Sequence, residues 1–513
     1  MSKVAAAARL LLSDVTCFSQ YVTKVPLRAY QTAPARAVIN SVLNRAGLEF
    51  LWIMPRQSGK NEAVAQVSVY LLNLLQRTGG NIVFGAIGDG TGRAATRLEE
   101  RLENPWNAGH WRRAARPDRR ILNNAAVVFL STHPSAATRG ETAHWLLIID
   151  ELQENDRLHL EAVFEPMRAA NNATGLYIGT VRTRQDALWQ KRAELERLEA
   201  DGQQRVFCVT PDQVIAENPA YSAFLEAKVR KFGRNHPTIA SEYFLEPIDA
   251  NGGLFPPRRI SLMTGGHHRQ HAPQFGRIYA ALIDVGGQDE QATAPGAALE
   301  NPGRDYTCCT IVEIIPDGGQ ATYHAVDIFT DQGTRHFESS PGRPSLADQL
   351  FAYLTAWKVA HLVIDGSGIG AGLASAAAAK FGPQNVTTVH FTANSKAATG
   401  AGFLSLIETG HFQYWCDSAE YSDAWWYFTQ ATACTYDLPN GGAWEKSLRW
   451  SVPASHRTPT PTGPQPTHDD RLLSAALVTH LDDAWRAGRI TPPPGNATSK
   501  IIRAQDPLEG LSF

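Results

Sequence analysis

Cysteine is scarce in this sequence, with six in 513 residues. None are spaced as C-x-x-C, and the only close pair, Cys308 and Cys309, is adjacent, where bridging is rare. This argues against a zinc ribbon or a disulfide framework and fits a reducing compartment. An excess of charge of one sign is also missing: 48 Lys and Arg against 50 Asp and Glu leave a formal net charge of −2. The overall balance therefore favours no polyanionic partner, although a local basic face can bind phosphates on a neutral protein. No apolar run approaches the length of a membrane-spanning helix. Residues 5–12 are apolar but short, and no small-residue cleavage site follows them. An opening amphipathic helix is expected there rather than a signal peptide, and the protein is expected to be soluble and intracellular, with no membrane partner.

The chain has an apolar fraction of 43%, enough for real cores, and its length predicts two to four domains. From Phe50 onward, short β-rich runs alternate with helical stretches. Strands are expected over 50–54, 81–86, 126–131, 145–150, 175–180 and 205–210, with a helix over 59–75. That alternation implies an α/β domain with a parallel sheet covered on both faces, over residues 1–210. A charged helical segment, expected as a lid or linker over 211–254, ends in the turn-rich run 249–253. A second α/β domain is expected over 255–490 and a flexible tail over 491–513. Its element order is three strands, helix, strand, helix, strand, then helices. The second and third strands are joined by Pro316-Asp317-Gly318-Gly319, a hairpin signal. This is the chain order of an RNase H-like (RuvC-like) domain.

The first expected strand runs into Pro55-Arg56-Gln57-Ser58-Gly59-Lys60-Asn61. A strand, a tight turn with free backbone N–H groups, a lysine and a helix start make a phosphate cradle. As a P-loop it is degenerate: its usual first glycine is absent, and Asn61 stands where Ser or Thr normally touches magnesium. The second half of such a site is Leu146-Leu147-Ile148-Ile149-Asp150-Glu151. A buried strand ending in two carboxylates is costly unless something uses them. In a P-loop ATPase, Asp150 would hold the magnesium of Mg2+–ATP and Glu151 would polarise the attacking water. Three further residues join the candidate set. Gln31, after Tyr30, could grip adenine. Thr180, after Gly179, could sense the terminal phosphate. Arg139, in Thr138-Arg139-Gly140-Glu141, could act as an arginine finger, though a solvated loop arginine has the same spacing.

In the second domain, Asp284 ends the first expected strand, Asp365 ends a later one, and Asp469-Asp470 open the last helical stretch. An RNase H-like fold gathers acids from such positions. Clustered carboxylates repel unless cations neutralise them. Two Mg2+ or Mn2+ ions would do so and would support phosphodiester hydrolysis, with Asp284, Asp365 and Asp470 as catalytic ligands and Asp469 as a further one. Two other features are assigned structural readings. His267-His268-Arg269-Gln270-His271 is expected to be a solvated linker without a carboxylate partner, and Trp425-Trp426-Tyr427-Phe428 a core helix rather than a base-stacking platform.

Three motifs carry a family resemblance: Pro55-Arg56-Gln57-Ser58-Gly59-Lys60-Asn61-Glu62, Ile148-Ile149-Asp150-Glu151 and His468-Asp469-Asp470-Arg471. In this order the sequence resembles the large terminase subunit of tailed bacteriophages over nearly its whole length. The resemblance implies a motor that pushes double-stranded DNA into a procapsid and a nuclease that cuts the concatemer. It implies a homo-oligomeric ring (a pentamer) on the portal protein, a small terminase subunit as partner, and a host-cytoplasmic location with transient residence on the portal, absent from the mature virion. It also gives Arg139 weight as a finger acting on a neighbouring subunit. The basic helix around Lys228, Arg230, Lys231 and Arg234 would contact DNA or a neighbour, and an exposed helix face accounts for it equally. Two other readings stay open: a helicase- or translocase-nuclease of repair or restriction, and a catalytically degenerate structural homologue.

Overall fold

The computed structural model describes residues 3–136, 138, 140–249, 251–288, 305–317, 320–339, 342, 344–417, 419–439 and 444–490. By contact the chain forms two units, Met1–Ala250 with Leu438–Trp444, and Asn251–Asp437 with Glu445–Phe513.

The first unit is built on an eight-stranded sheet. Its strands are β1 (Glu49–Ile53), β2 (Gly80–Ala86), β3 (Trp111–Ala115), β4 (Asp118–Leu122), β5 (Ala125–Ser131), β6 (Leu146–Ile149), β7 (Thr174–Gly179) and β8 (Val206–Cys208), in the spatial order β3-β4-β5-β2-β6-β7-β1-β8. From β5 through β8 every pairing is parallel. Parallel strands are buried on both faces, so they read as apolar runs rather than alternating ones. Leu51, Trp52, Ile53, Leu146, Leu147, Ile148 and Ile149 are all fully buried. Helices Ala29–Leu43, Lys60–Leu75 and Gly90–Leu102 cover one face through Val38, Val67 and Leu98. Helix Ala187–Leu198 covers the other through Leu188 and Leu195. Strand β7 lies between β1 and β6, the order of P-loop ATPases with an additional central strand.

Two features of this unit depart from the sequence reading. Strands β3 and β4 are absent from the expected set. They form an antiparallel extension on β5, and three of the arginines that hide them in the sequence, Arg113, Arg119 and Arg120, are ion-paired. Arg120, 2% exposed, pairs with Asp118 at 2.6 Å and with Glu99. The helical stretch 211–249 belongs by contact to the first unit, and its Val214, Tyr221, Leu225, Ile239 and Tyr243 join that unit's core. It is three short helices, Pro211–Glu217, Ala220–Phe232 and Pro237–Glu242; Gly233, at φ +85°, and Pro237 break the latter two apart.

The second unit carries a six-stranded sheet and a small three-stranded one, and a two-stranded ribbon, Arg457–Thr458 with Gln465–Pro466, stands apart from both. The strands are β9 (Asn251–Gly253), β10 (Ile278–Asp284), β11 (Thr307–Asp317), β12 (Gln320–Asp331), β13 (His361–Asp365), β14 (Val386–Val389), β15 (Phe412–Tyr414), β16 (Thr435–Asp437) and β17 (Arg449–Ser451). The large sheet runs β14-β13-β10-β11-β12-β15. Strands β10, β11 and β12 are antiparallel neighbours, whereas β13 joins β10, and β14 joins β13, in parallel. This is the RNase H-like topology with β15 added in parallel at the far edge. Part of the β11–β12 turn, Gly318 and Gly319, lies outside the described residues. Helix Leu346–Trp357 seals one face through Leu346, Leu350 and Leu354 against Ile283 and Ile364. The expected last helix is two, Asp470–Ala476 and Val478–Arg486.

The segment 267–271 is not a solvated linker. The His267 ring bonds the Ala325 carbonyl at 2.8 Å and stacks on His324, and Gln270 N–H donates to Val326 O at 2.8 Å. Arg269 pairs with Asp327 and Asp423. Polar side chains that look solvated in a sequence lie here along the buried strand β12, because Asp327 is an acid on that strand and needs a cation. Among Trp425-Trp426-Tyr427-Phe428, Tyr427 is fully buried and stacks on Tyr414 at 3.9 Å.

Candidate active sites

The first site forms where β1, β6 and β7 end. Strand β1 runs into the turn 55–59, and helix Lys60–Leu75 starts at its far side. Two residues of this turn have left-handed backbone, Gln57 at φ +65° and Gly59 at φ +87°. A side chain on Gly59 would also meet the Gln31 amide at 2.9 Å, so glycine is required twice over at that position. Held strain in a non-glycine residue such as Gln57 persists only where the surroundings impose it. The clamps are visible: Tyr30 OH donates to Ser58 O at 2.6 Å, Gln31 Nε2 to Gly59 O at 3.0 Å, and Tyr221 OH to Arg56 O at 2.9 Å. Arg56 N–H donates to Glu242 O at 2.9 Å, and its guanidinium pairs with the Glu242 carboxylate at 2.5 Å. Gln31, 2% exposed, also accepts from Arg28 N–H through its other end, so its amide is engaged on the loop rather than turned toward a purine.

Lys60 is 8% exposed, and its ammonium donates to Thr180 Oγ1 at 3.0 Å and lies 3.4 Å from Glu151. Thr180 in turn donates to Met54 O at 3.2 Å. Asp150 is buried, and its Oδ1 accepts the Glu151 N–H at 2.9 Å. Burial pushes the Asp150 carboxyl up to about 6, with the Glu151 charge adding to the rise and Lys60 opposing it. Burial also acts to raise Glu151, but Lys60 and the Gln153 amide outweigh it and hold that carboxyl below its usual range. Glu151 has left-handed backbone at φ +46°. Gln153 donates to Glu151 Oε2 at 2.6 Å and accepts Thr180 N–H at 3.2 Å, and Asn155 donates to both the Asp150 and Glu151 carbonyls.

Gln153, Asn155, Tyr221 and Glu242 are missing from the sequence reading. The first two are within its reach, since amides two and four residues past the acid pair are natural tethers for its turn. The other two act across more than a hundred residues. Arg56, Gln57 and Asn61 are exposed at the cradle, and Arg139 lies outside the described residues. Ser58 Oγ is buried without a hydrogen-bond partner among the described residues, an orphaned hydroxyl inside the loop. An orphaned donor, a buried lysine, the buried Asp150 and the half-buried Glu151 fit Mg2+–ATP. Lys60 and the loop would hold the phosphates, and Asp150 the metal, through which magnesium would supply charge neutralisation.

The second site is carboxylate-rich. Asp284 and Asp365 end the neighbouring parallel strands β10 and β13, where Ile283 pairs with Ile364. Asp470 starts helix Asp470–Ala476, and that helix is fastened to the sheet. Ser474 Oγ donates to Leu282 O at 2.8 Å and accepts Thr310 N–H at 3.2 Å. Asp470 accepts the Tyr306 N–H at 2.8 Å, and Asp365 the Ser367 N–H at 2.8 Å. Asp469 is half-buried, with the Lys396 ammonium 3.6 Å away. Burial, then the charges of Asp470, Asp469 and Asp365, push the Asp284 carboxyl well above the ordinary range. Burial pushes Asp470 up to about 7, against the Tyr306 N–H. The four aspartates are thus close enough to feel one another, and Lys396, absent from the sequence reading, is the cation set against them. Oxygen-only donors under mutual repulsion fit hard divalent cations.

The sign of that repulsion is testable. Raised carboxyls such as Asp284 and Asp470 cost no folding stability below the ordinary aspartate value near 3.8. The cost grows as pH rises through the window up to about 7, where it is complete for Asp470. In chelator, the melting temperature of this unit is therefore expected to fall between those pH values. Mg2+ or Mn2+ at a hundred times its dissociation constant should restore about 2.7 kcal/mol, roughly 5–10 °C, at neutral pH. A metal-independent melting curve at pH 7 in calorimetry would contradict the metal assignment.

No family model matches the sequence, and neither does any curated protein. Among solved structures, a large terminase from a thermophilic bacteriophage is similar at 11% identity and a TM-score of 0.45, covering 89% of this chain and 99% of that one. The large terminase of bacteriophage HK97 is similar at 14% identity and a TM-score of 0.37, covering 92% and 99%. The large terminase nuclease of another thermophilic phage, G20c, solved with bound magnesium, is similar at 14% identity and a TM-score of 0.30, covering 44% of this chain and 96% of its own.

Proposed function

We propose that this chain is a DNA-packaging motor subunit of the large-terminase type. ATP hydrolysis in the first unit drives double-stranded DNA along the protein, and a two-metal endonuclease in the second unit cuts concatemeric DNA. The observation that carries the reading is the joint presence of two sites in one chain: Lys60, Asp150, Glu151 and Thr180 gathered at a P-loop sheet, and Asp284, Asp365, Asp469 and Asp470 on an RNase H-like sheet. The order of the Pro55–Glu62, Ile148–Glu151 and His468–Arg471 motifs supports the same reading. The proposed partners are double-stranded DNA, a portal protein, a small terminase subunit and further copies of this chain in a ring, with action in the host cytoplasm on the procapsid.

A helicase-nuclease would require a second motor domain after the first. Residues 211–249 are instead three short helices that join the first unit's core. The test is displacement of a third strand from a linear duplex by the full chain. ATP-dependent displacement without separation of the duplex strands is the expected result. Strand separation would favour the helicase, and displacement without ATP would sink the motor. Arg139 is proposed as a finger reaching a neighbouring subunit. Mixtures of Arg139→Ala with Lys60→Ala chains should then hydrolyse ATP faster than either alone, and no gain at any ratio would place the arginine elsewhere.

A further inference from the structure

We propose that His268, Cys416 and Asp417 form a zinc site on the second unit, separate in its residues from the aspartate cluster. His268 Nδ1 lies 2.5 Å from Asp417 Oδ1 and 3.9 Å from Cys416 Sγ, and the three ligand atoms all lie within 4.8 Å of one another. A tetrahedral zinc with bonds of about 2.0–2.3 Å sets its ligand atoms roughly 3.3–3.6 Å apart. Small rotations of these side chains reach that spacing, since His268 and Asp417 are exposed and Cys416 is partly so.

The backbone that carries the ligands is already fixed. Cys416 N–H donates to His267 O at 2.9 Å, and Gly265 N–H to Tyr414 O at 2.7 Å. Arg269 N–H donates to Asp417 Oδ2 at 2.8 Å. On the other side His267 bonds Ala325 O, and Gln270 N–H donates to Val326 O at 2.8 Å, so the histidine segment is pinned to β12 while Cys416 lies two residues past the end of β15. Ligands on a preorganised backbone bind metal without the entropy of ordering two loops. The Arg269 guanidinium is held by Asp327 and Asp423 and not by Asp417, whose Oδ1 faces His268.

The donor set selects the metal. A thiolate, an imidazole and one carboxylate suit zinc and not magnesium, which takes oxygen. Binding would release the Cys416 thiol proton to solvent and leave a fourth position to water. The ion would clip the 264–271 segment to the strand β15 edge, joining residues 148 and 149 positions apart.

The experiment uses the full chain stripped with chelator and then given one equivalent of zinc. Alkylation of each cysteine is followed by peptide mass spectrometry. Zinc is expected to slow alkylation of Cys416 at least tenfold while leaving Cys208, which is exposed and belongs to the first unit, unchanged. His268→Ala should abolish the protection. Magnesium at millimolar concentration should not give it, and Asp365→Ala should retain it. Equal alkylation of Cys416 with and without zinc would overturn the site. Protection that survives His268→Ala, or is lost in Asp365→Ala, would overturn it as well. A direct count checks the same point in the folded protein: zinc retained per chain after gel filtration should fall by one in both His268→Ala and Cys416→Ser, and an unchanged count would refute the assignment.

Discussion

Glu151→Gln is expected to lower the rate of ATP hydrolysis by about 10²–10⁴-fold, the usual worth of a positioned general base, while leaving metal-dependent plasmid cleavage at the wild-type rate. The amide keeps the shape of the carboxylate but cannot take a proton from water. The surroundings of Glu151 suit the proposed role. Its backbone is left-handed, Gln153 fixes one carboxylate oxygen, and Lys60 holds its charge. Asp150 is buried instead and carries a raised pKa, as suits a group that waits for a divalent cation. The measurement is steady-state hydrolysis beside agarose-gel cleavage on the same preparation. A hydrolysis rate within tenfold of wild type would remove Glu151 from the chemistry.

Asp365→Ala is expected to do the reverse. It removes a carboxylate from the ends of the paired strands β10 and β13, where Asp284 is the neighbouring acid. Metal ions at such sites supply several kcal/mol of transition-state stabilisation, and losing one should cost at least about 10³-fold in cleavage. Hydrolysis of ATP, proposed for the other unit, should be unchanged. Cleavage that persists in Asp365→Ala at saturating Mn2+ would end the nuclease assignment for these aspartates, whatever becomes of the ATPase.

The legible parts of both sites share one physical cause. Parallel strands buried on both faces must be apolar, so an acid or lysine at their ends stands out: Lys60 after β1, Asp150 after β6, and Asp284 and Asp365 at the ends of β10 and β13. What stays hidden depends on pairing across long stretches of chain. Arg119 and Arg120 of β4 read as surface until Glu99, Asp118 and Glu141 neutralise them. Tyr221 and Glu242 reach the phosphate loop from some 165 and 186 residues away. The histidine segment at 267–271 looks like a linker because its partners, Ala325, Val326 and Asp417, are far off in sequence. Likewise Lys396 is an ordinary helix lysine until Asp469 is set beside it.

The grip on Arg56 has a mechanical meaning. Its carbonyl, its N–H and its guanidinium are all held by residues of one helical stretch, through Tyr221 and Glu242. Helices Ala220–Phe232 and Pro237–Glu242 are therefore coupled to the 55–59 loop like a lever to its fulcrum. If the loop holds nucleotide as proposed, a change in it on release of phosphate would be felt in that stretch, and a load on the stretch would be felt in the loop. On the proposed function, force on the helices should then alter nucleotide affinity, and turnover would answer to the load.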